Sequence, residues 1–354
     1  MSEDWRPLMD AVREEAAALC DAGELRCTQR GEEVDIAAAR GPIRLSVRPW
    51  VTAYHSDQFE LPLPAEHRFP MAKYEALRRR AATLPIRLAV PPAASDEQLL
   101  RVHTPGYVAR VREGRLSPVD VRRIGFPWSP QMVERSRRSV GATLQAAHSA
   151  LHDGVSANLA GGTHHAGSDR GQGYCVFNDA AVAVRDLQAG GLVRRAVVVD
   201  CDVHQGNGTA ECFAGDDSVF TLSIHGQKNF PARKHPGDHD VALPPGCGDA
   251  EYLRALEESL RVLDRQPAAE LMIYTSGADP YADDTLGSLA LSKAGLRERD
   301  RRVLAWAAGR RVPVAVTMAG GYSPDVEDIV SIHAATLEEA VAAARAWQAG
   351  SGEG

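Results

Sequence analysis

Residues 196–208 read AVVVDCDVHQGNG, an apolar run that turns acidic at Asp200 and then rich in glycine. An unbroken β-branched segment of this kind fits a strand buried on both faces, and such strands belong to parallel sheets covered by helices. In extended chain, residues i, i+2 and i+4 share a face, so Asp200, Asp202 and His204 are expected to project into one pocket. Oxygen and nitrogen donors so placed suit Zn2+ or another first-row divalent metal. Taken alone, the same residues also read as a hydrogen-bonded turn capping the next helix.

The surrounding chain repeats the theme. Candidate strands at 86–90, 155–160, 196–200, 218–224, 271–275 and 312–318 alternate with helical stretches at about 95–102, 130–152, 179–189, 249–264, 292–309 and 334–348. Alternation of this sort predicts an α/β domain with a central, mostly parallel sheet flanked by helices. The first 50 residues differ: an amphipathic helix at about 8–22 is stopped by Gly23, and a polar turn leads to IRLSV before Pro49. The predicted organisation is an appended segment over 1–50 and one catalytic domain over 51–350.

Ligands of open parallel sheets gather outside the carboxyl ends of the strands. Three further clusters lie at such ends. Residues 161–179, GGTHHAGSDRGQGYCVFND, carry tandem His164 and His165 in a loop whose glycines free the backbone to turn both rings toward one site. Residues 275–289, TSGADPYADDTLGSL, offer Asp279 as the third ligand of a site that keeps an open coordination position, or in isolation as a turn initiator before Pro280. Asp283 and Asp284 read as solvated loop residues. Residues 316–324, VTMAGGYSP, place Tyr322 on a Gly-Gly turn, where its hydroxyl can donate to a developing oxyanion, although taken alone the residue reads more readily as a packing tyrosine.

Composition narrows the function. With 44% hydrophobic and 25% charged residues the chain is neither disordered nor fibrous, and no apolar run approaches the roughly 18 residues of a membrane span. Forty basic against 47 acidic residues give a net charge of −7, which argues against direct nucleic-acid binding. Glu3 and Asp4 stand where a signal peptide carries basic residues, so a cytoplasmic location is expected. The six cysteines form no CxxC pair and are expected to be reduced. GNGTAE at 206–211 lacks the third glycine of a dinucleotide fingerprint, and there is no GxSxG elbow.

Together, His164-His165 with GYC at 173–175, the 200–208 run, Ser276-Gly-Ala-Asp279 and Gly320-Gly321-Tyr322 resemble the zinc-dependent histone deacetylase family. The resemblance runs from about Tyr54 to Ala335. It begins at YHSDQFELP (54–62) and includes LLRVHTPGYV (99–108); SDRG at 168–171 and LGSLALSKAGLRERD at 286–300 look most like the class IV branch and its bacterial relatives. It implies a single-domain arginase/deacetylase-like fold and hydrolysis of acyl-lysine in proteins or peptides, or of a small amide. It further implies that Asp202, His204 and Asp279 bind one catalytic Zn2+. His165 would be the general base and acid, with His164 a second, electrostatic histidine oriented by Asp200. Asn207 stands where some classes pair an aspartate with the second histidine, which implies a less polarised His165. Tyr322 would complete the oxyanion site. Gly173, Tyr174 and Phe230 would wall the acyl-lysine tunnel, with Leu286 at its rim. A structural K+ held by backbone carbonyls around Asp200, Asp202, His204, Ser223 and Ile224 is also implied.

Rival readings make different demands. A two-manganese ureohydrolase site wants aspartates where this chain has Gly206 and Tyr281. Acetylpolyamine hydrolysis shares the mechanism, but its branch carries a channel-narrowing loop with no counterpart here. A binding module that only recognises acyl groups predicts loss of a ligand or of the tyrosine, and all are present.

Overall fold

A computed structural model describes residues 6–349 except 24, 31, 48 and 65. The chain forms two compact units, Met1–Trp50 and Val51–Gly354. In the first, helix α1 (Arg6–Asp21) ends before Gly23, whose φ of +72° suits the left-handed position after a helix. Strand β1 (Leu25–Gln29) then pairs antiparallel with β2 (Glu32–Glu33) and with β3 (Arg44–Val47). Ala16, Cys27 and Ile36 make a small core.

The second unit is built on eight parallel strands: β4 (Val51–Tyr54), β5 (Ile86–Ala89), β6 (Val155–Asn158), β7 (Ala196–Asp200), β8 (Val219–Gly226), β9 (His239–Leu243), β10 (Leu271–Ser276) and β11 (Val314–Met318). Their spatial order is β5-β4-β6-β11-β10-β7-β8-β9. The four central strands are buried at every residue, whereas edge strand β9 alternates partly buried and exposed positions. That contrast explains which strands the sequence announces. Continuous apolar runs mark strands covered on both faces, while β4 and β9 are too short or too polar to stand out.

Flanking helices are α2 (Ala72–Ala81), α3 (Asp96–Leu99), α4 (Pro105–Arg112), α5 (Pro118–Ile124), α6 (Pro130–Asp153), α7 (Asp179–Ala189), α8 (Asn207–Cys212), α9 (Asp249–Leu263), α10 (Lys293–Gly309) and α11 (Val326–Ala349). Helix α6 packs on α7 and the sheet; α10 packs on α9 and α11, and α11 on α2. Several starts are set by side-chain caps: Ser129 accepts the Met132 N–H at 3.0 Å, with Pro130 at the first helical position. Helix α11 starts eight residues before the expected 334, because VEDIVSIH is rich in β-branched residues and gives a weak helical signal.

Neighbouring strands β6, β11, β10 and β7 end at Asn158, Met318, Ser276 and Asp200. Each is followed by one of the four polar clusters, so the topology gathers them at one edge.

Candidate active site

Strand geometry stops at Asp200, so the expected shared face of Asp200, Asp202 and His204 does not form. The chain instead bends on its own carboxylates. Asp200 accepts the Asp202 N–H at 3.1 Å, and Asp202 accepts the His204 N–H at 2.9 Å. Asp279 reaches across from the β10 loop, accepting the Val203 N–H at 2.9 Å. His204 Nδ1 then lies 3.0 Å from Asp202 Oδ1 and 3.2 Å from Asp279 Oδ2, and one donor atom from each of the three residues falls within 4.8 Å of the others. Asp200 is not part of this triad. Gly320 closes the cluster by donating its N–H to Asp202 Oδ2 at 2.8 Å. A Cβ at Gly320 would fall 1.8 Å from an Asp279 oxygen, so only glycine fits there.

Asp202 and Asp279 are 1% and 0% exposed. Two buried carboxylates this close cannot both stay ionised without a cation. Burial and then the charge of Asp202 hold the Asp279 carboxyl above its usual range. Burial opposes charge on His204, yet the two aspartates outweigh it and push the imidazole up to about 10. The donor set, one imidazole and two carboxylates, fits a divalent metal with an open position.

The tandem histidines come from the β6 loop. Gly161 and Gly162 take φ of +83° and +63° there, which brings both rings to one side with centroids 4.1 Å apart. Asp179 pins this turn by accepting the N–H groups of Gly162 and Thr163 at 3.0 and 2.7 Å. His164 Nδ1 lies 2.6 Å from Asp200 Oδ2; His165 Nδ1 lies 2.7 Å from Asn207 Oδ1. One ring therefore faces a carboxylate and the other a neutral amide. Burial opposes charge on His164, but Asp200 and Asp202 win and push it up to about 9. Burial, then His164 and His204, hold His165 well below the usual range, so it is neutral at pH 7.

A cavity of about 430 Å³ leads to these residues, walled by Gly173, Tyr174, Phe230, Leu286 and Tyr322. Tyr174 stacks on Phe126 at 5.2 Å, and the edge of Phe230 meets the His165 ring at 4.8 Å. Gly173, at φ +55°, lets His165 approach, since a Cβ there would lie 2.6 Å from its ring. A smaller chamber of about 80 Å³ shares His165, Gly173, Tyr174, His204 and Tyr322 with this cavity. Burial and the charges of Asp279 and Asp202 raise the Tyr322 hydroxyl well above its ordinary range, so it remains a proton donor. On the β8 side, Asp200 and Ser223 are register partners, with Ile224 next along the strand.

Several supporting residues were not singled out from sequence. Asp284 is half-buried and accepts the Tyr322 N–H at 2.6 Å, with Leu286 and Gly287 as further donors; it is a structural acceptor and not a solvated loop residue. Lys73 is 3% exposed, donates to the Ala319 carbonyl at 3.2 Å and lies 5.6 Å from the Tyr322 ring. Arg299, wholly buried, donates to the carbonyls of Cys201 at 3.1 Å and Gly277 at 2.7 Å, tying together the loops that carry the triad. RERDRR at 297–302 lies in the expected helix at 292–309, and only the tertiary fold shows which of its arginines turns inward. Cys175 is buried and donates to the Gly173 carbonyl, as a packing residue does.

A buried cluster of three side chains that could hold a metal ion, beside a histidine pair at the strand ends of a parallel sheet, fits a hydrolase centre. The histone deacetylase domain family matches residues 66–337, and a family described as protein of unknown function (DUF3253) matches residues 1–48. An uncharacterised protein of Picosynechococcus is 41% identical over 79% of this chain and 94% of its own length. Histone deacetylase 2 of Arabidopsis thaliana is 33% identical over 66% of this chain and 62% of its own. Among solved structures, an HDAC homologue complexed with SAHA superposes with a TM-score of 0.72 at 26% identity, over 82% of this chain and 84% of that one. An acetylpolyamine aminohydrolase from Burkholderia pseudomallei shares the fold at a TM-score of 0.69 and 21% identity, over 82% and 98%. The chain belongs to the histone deacetylase family, whose members are deacetylases and related amidohydrolases. Among the described residues no helix is long and apolar enough to cross a membrane.

Proposed function

We propose that this chain is a zinc-dependent hydrolase that removes acyl groups from lysine side chains of proteins or peptides. The observation that carries the reading is the buried Asp202–His204–Asp279 cluster lying beside neutral His165 at the floor of an apolar-walled channel. Asp202, His204 and Asp279 would hold the Zn2+, which when bound would supply a Lewis acid for the amide carbonyl and lower the pKa of water to about 7. The aliphatic stem of the acyl-lysine passes between Tyr174 and Phe230. His165, neutral and held at Nδ1 by Asn207, takes the proton of the attacking water. Tyr322 donates its hydroxyl to the carbonyl oxygen as negative charge builds there. His164, kept cationic by Asp200, adds positive potential at the same place. His165 then returns its proton to the departing amine.

In the same reading, backbone carbonyls around Asp200, Asp202, His204, Ser223 and Ile224 hold a structural K+. The test is hydrolysis of fluorogenic acyl-lysine peptides, from acetyl to myristoyl, by zinc-loaded enzyme with and without a hydroxamate. Inhibitor-sensitive turnover is the expected result, and its chain-length profile reports the depth of the channel. Absence of turnover with one zinc bound per chain would overturn the reading.

A further inference from the structure

The channel mouth carries charge that the mechanism does not use. Outside the apolar walls the cavity is lined by Arg122, Arg123 and Lys228, and no carboxylate lines it. All three cations are exposed. Among the described residues Arg122 and Lys228 have no ion-pair partner, and the nearest carboxylate to Arg123, on Asp120, is 3.7 Å away. The closest acid on the loop of Leu286 is Asp284, whose oxygens are already taken by backbone N–H groups of Tyr322, Leu286 and Gly287. A chain of net charge −7 thus presents a locally positive mouth.

An acyl-lysine is neutral along its stem, so the enzyme discriminates at the mouth, through groups flanking the lysine. Cations there attract carboxylates and repel ammonium groups within a Debye length of about 8 Å at physiological salt. A polyamine amide brings ammonium groups to this mouth, and a lysine-rich peptide does the same. We propose that the mouth selects acyl-lysines flanked by acidic residues. The inference rests on the acyl-lysine reading above and names its substrate class.

Three acetyl-lysine peptides that differ only in flanking residues, Glu, Gln or Lys, test it with the full-length zinc-loaded enzyme. At low salt kcat/KM is expected to be about tenfold higher for the Glu peptide than for the Gln peptide, and lowest for the Lys peptide. The difference should lie in KM and shrink at about 0.3 M salt. The double variant Arg122→Glu/Lys228→Glu, with zinc content and melting temperature confirming its fold, should invert the order. Equal kcat/KM for all three peptides overturns the selectivity and leaves the acyl-lysine reading intact. Acetylputrescine turned over in preference to the Glu peptide also overturns it. Failure to cleave even the Gln peptide overturns the acyl-lysine reading, and this inference with it.

Discussion

Replacing Asn207 by Asp isolates the residue that sets the basicity of His165. The amide oxygen 2.7 Å from His165 Nδ1 becomes a carboxylate, in a position only 5% exposed. Two unit charges about 4 Å apart at an effective dielectric of 20 interact by about 4 kcal/mol. Burial of a new carboxylate cancels part of that gain, and His164, 4.1 Å away and cationic, opposes a second positive charge. The net expectation is a rise of about one to two pH units in the pKa of His165. His165 must be neutral to accept a proton, so the acid limb of kcat/KM should move to higher pH by the same amount. The assay is the pH profile of kcat/KM on one acyl-lysine peptide for both proteins, with zinc content measured alongside. An acid limb that stays in place, or moves to lower pH, would refute the assignment of His165 as the group that takes the proton.

Tyr322→Phe should keep its zinc and its melting temperature while kcat falls by about 10²–10³, as for other lost oxyanion donors; retained turnover excludes the assigned role. Arg299→Met leaves Asp300 buried without its guanidinium partner and cuts the tie between the Cys201 and Gly277 carbonyls. It should cost about 3–5 kcal/mol in chemical denaturation and weaken Co2+ binding, whereas a loss under about 1 kcal/mol contradicts the tie. His103 is buried between the Gly167 carbonyl and the Asn178 N–H, and burial lowers its pKa to about 4. The unfolded chain takes up a proton there near pH 6.5 and the folded one does not, so stability is full above 6.5 and falls by up to about 3 kcal/mol as pH drops to 4. Urea midpoints across that range should show the decline, and His103→Asn should flatten it.

The legible parts of this molecule are those where one physical demand acts on consecutive residues. AVVVD, LMIYT and VPVAVTM announce the central strands because both faces are buried, and the polar residues after them mark the strand ends. Asp202, His204 and Asp279 stand out as candidate ligands for that reason, although the shared-face argument does not hold: the chain leaves extended geometry at Asp200 and folds around its own carboxylates. Illegible were residues whose role depends on distant partners. Asp284 looks like a loop acid until the Tyr322 backbone is seen to bond it, and Arg299 looks solvated until α10 is docked. Lys73 lies on a helix that the periodicity did not reveal, with Arg78, Arg79 and Arg80 in its last turn obscuring the apolar stripe.

Strand β11 is the last of the eight in the chain, yet it sits in the middle of the sheet, between β6 and β10. Until it is synthesised and inserted, the sheet is two half-sheets: one ends in the histidine loop, the other carries the triad. A ribosome-bound chain arrested before β11 therefore owns Asp202, His204 and Asp279 but has neither His165 docked beside them nor Tyr322 in place. Long-range pairing of this kind is slow to form, and it couples the birth of activity to completion of the whole domain.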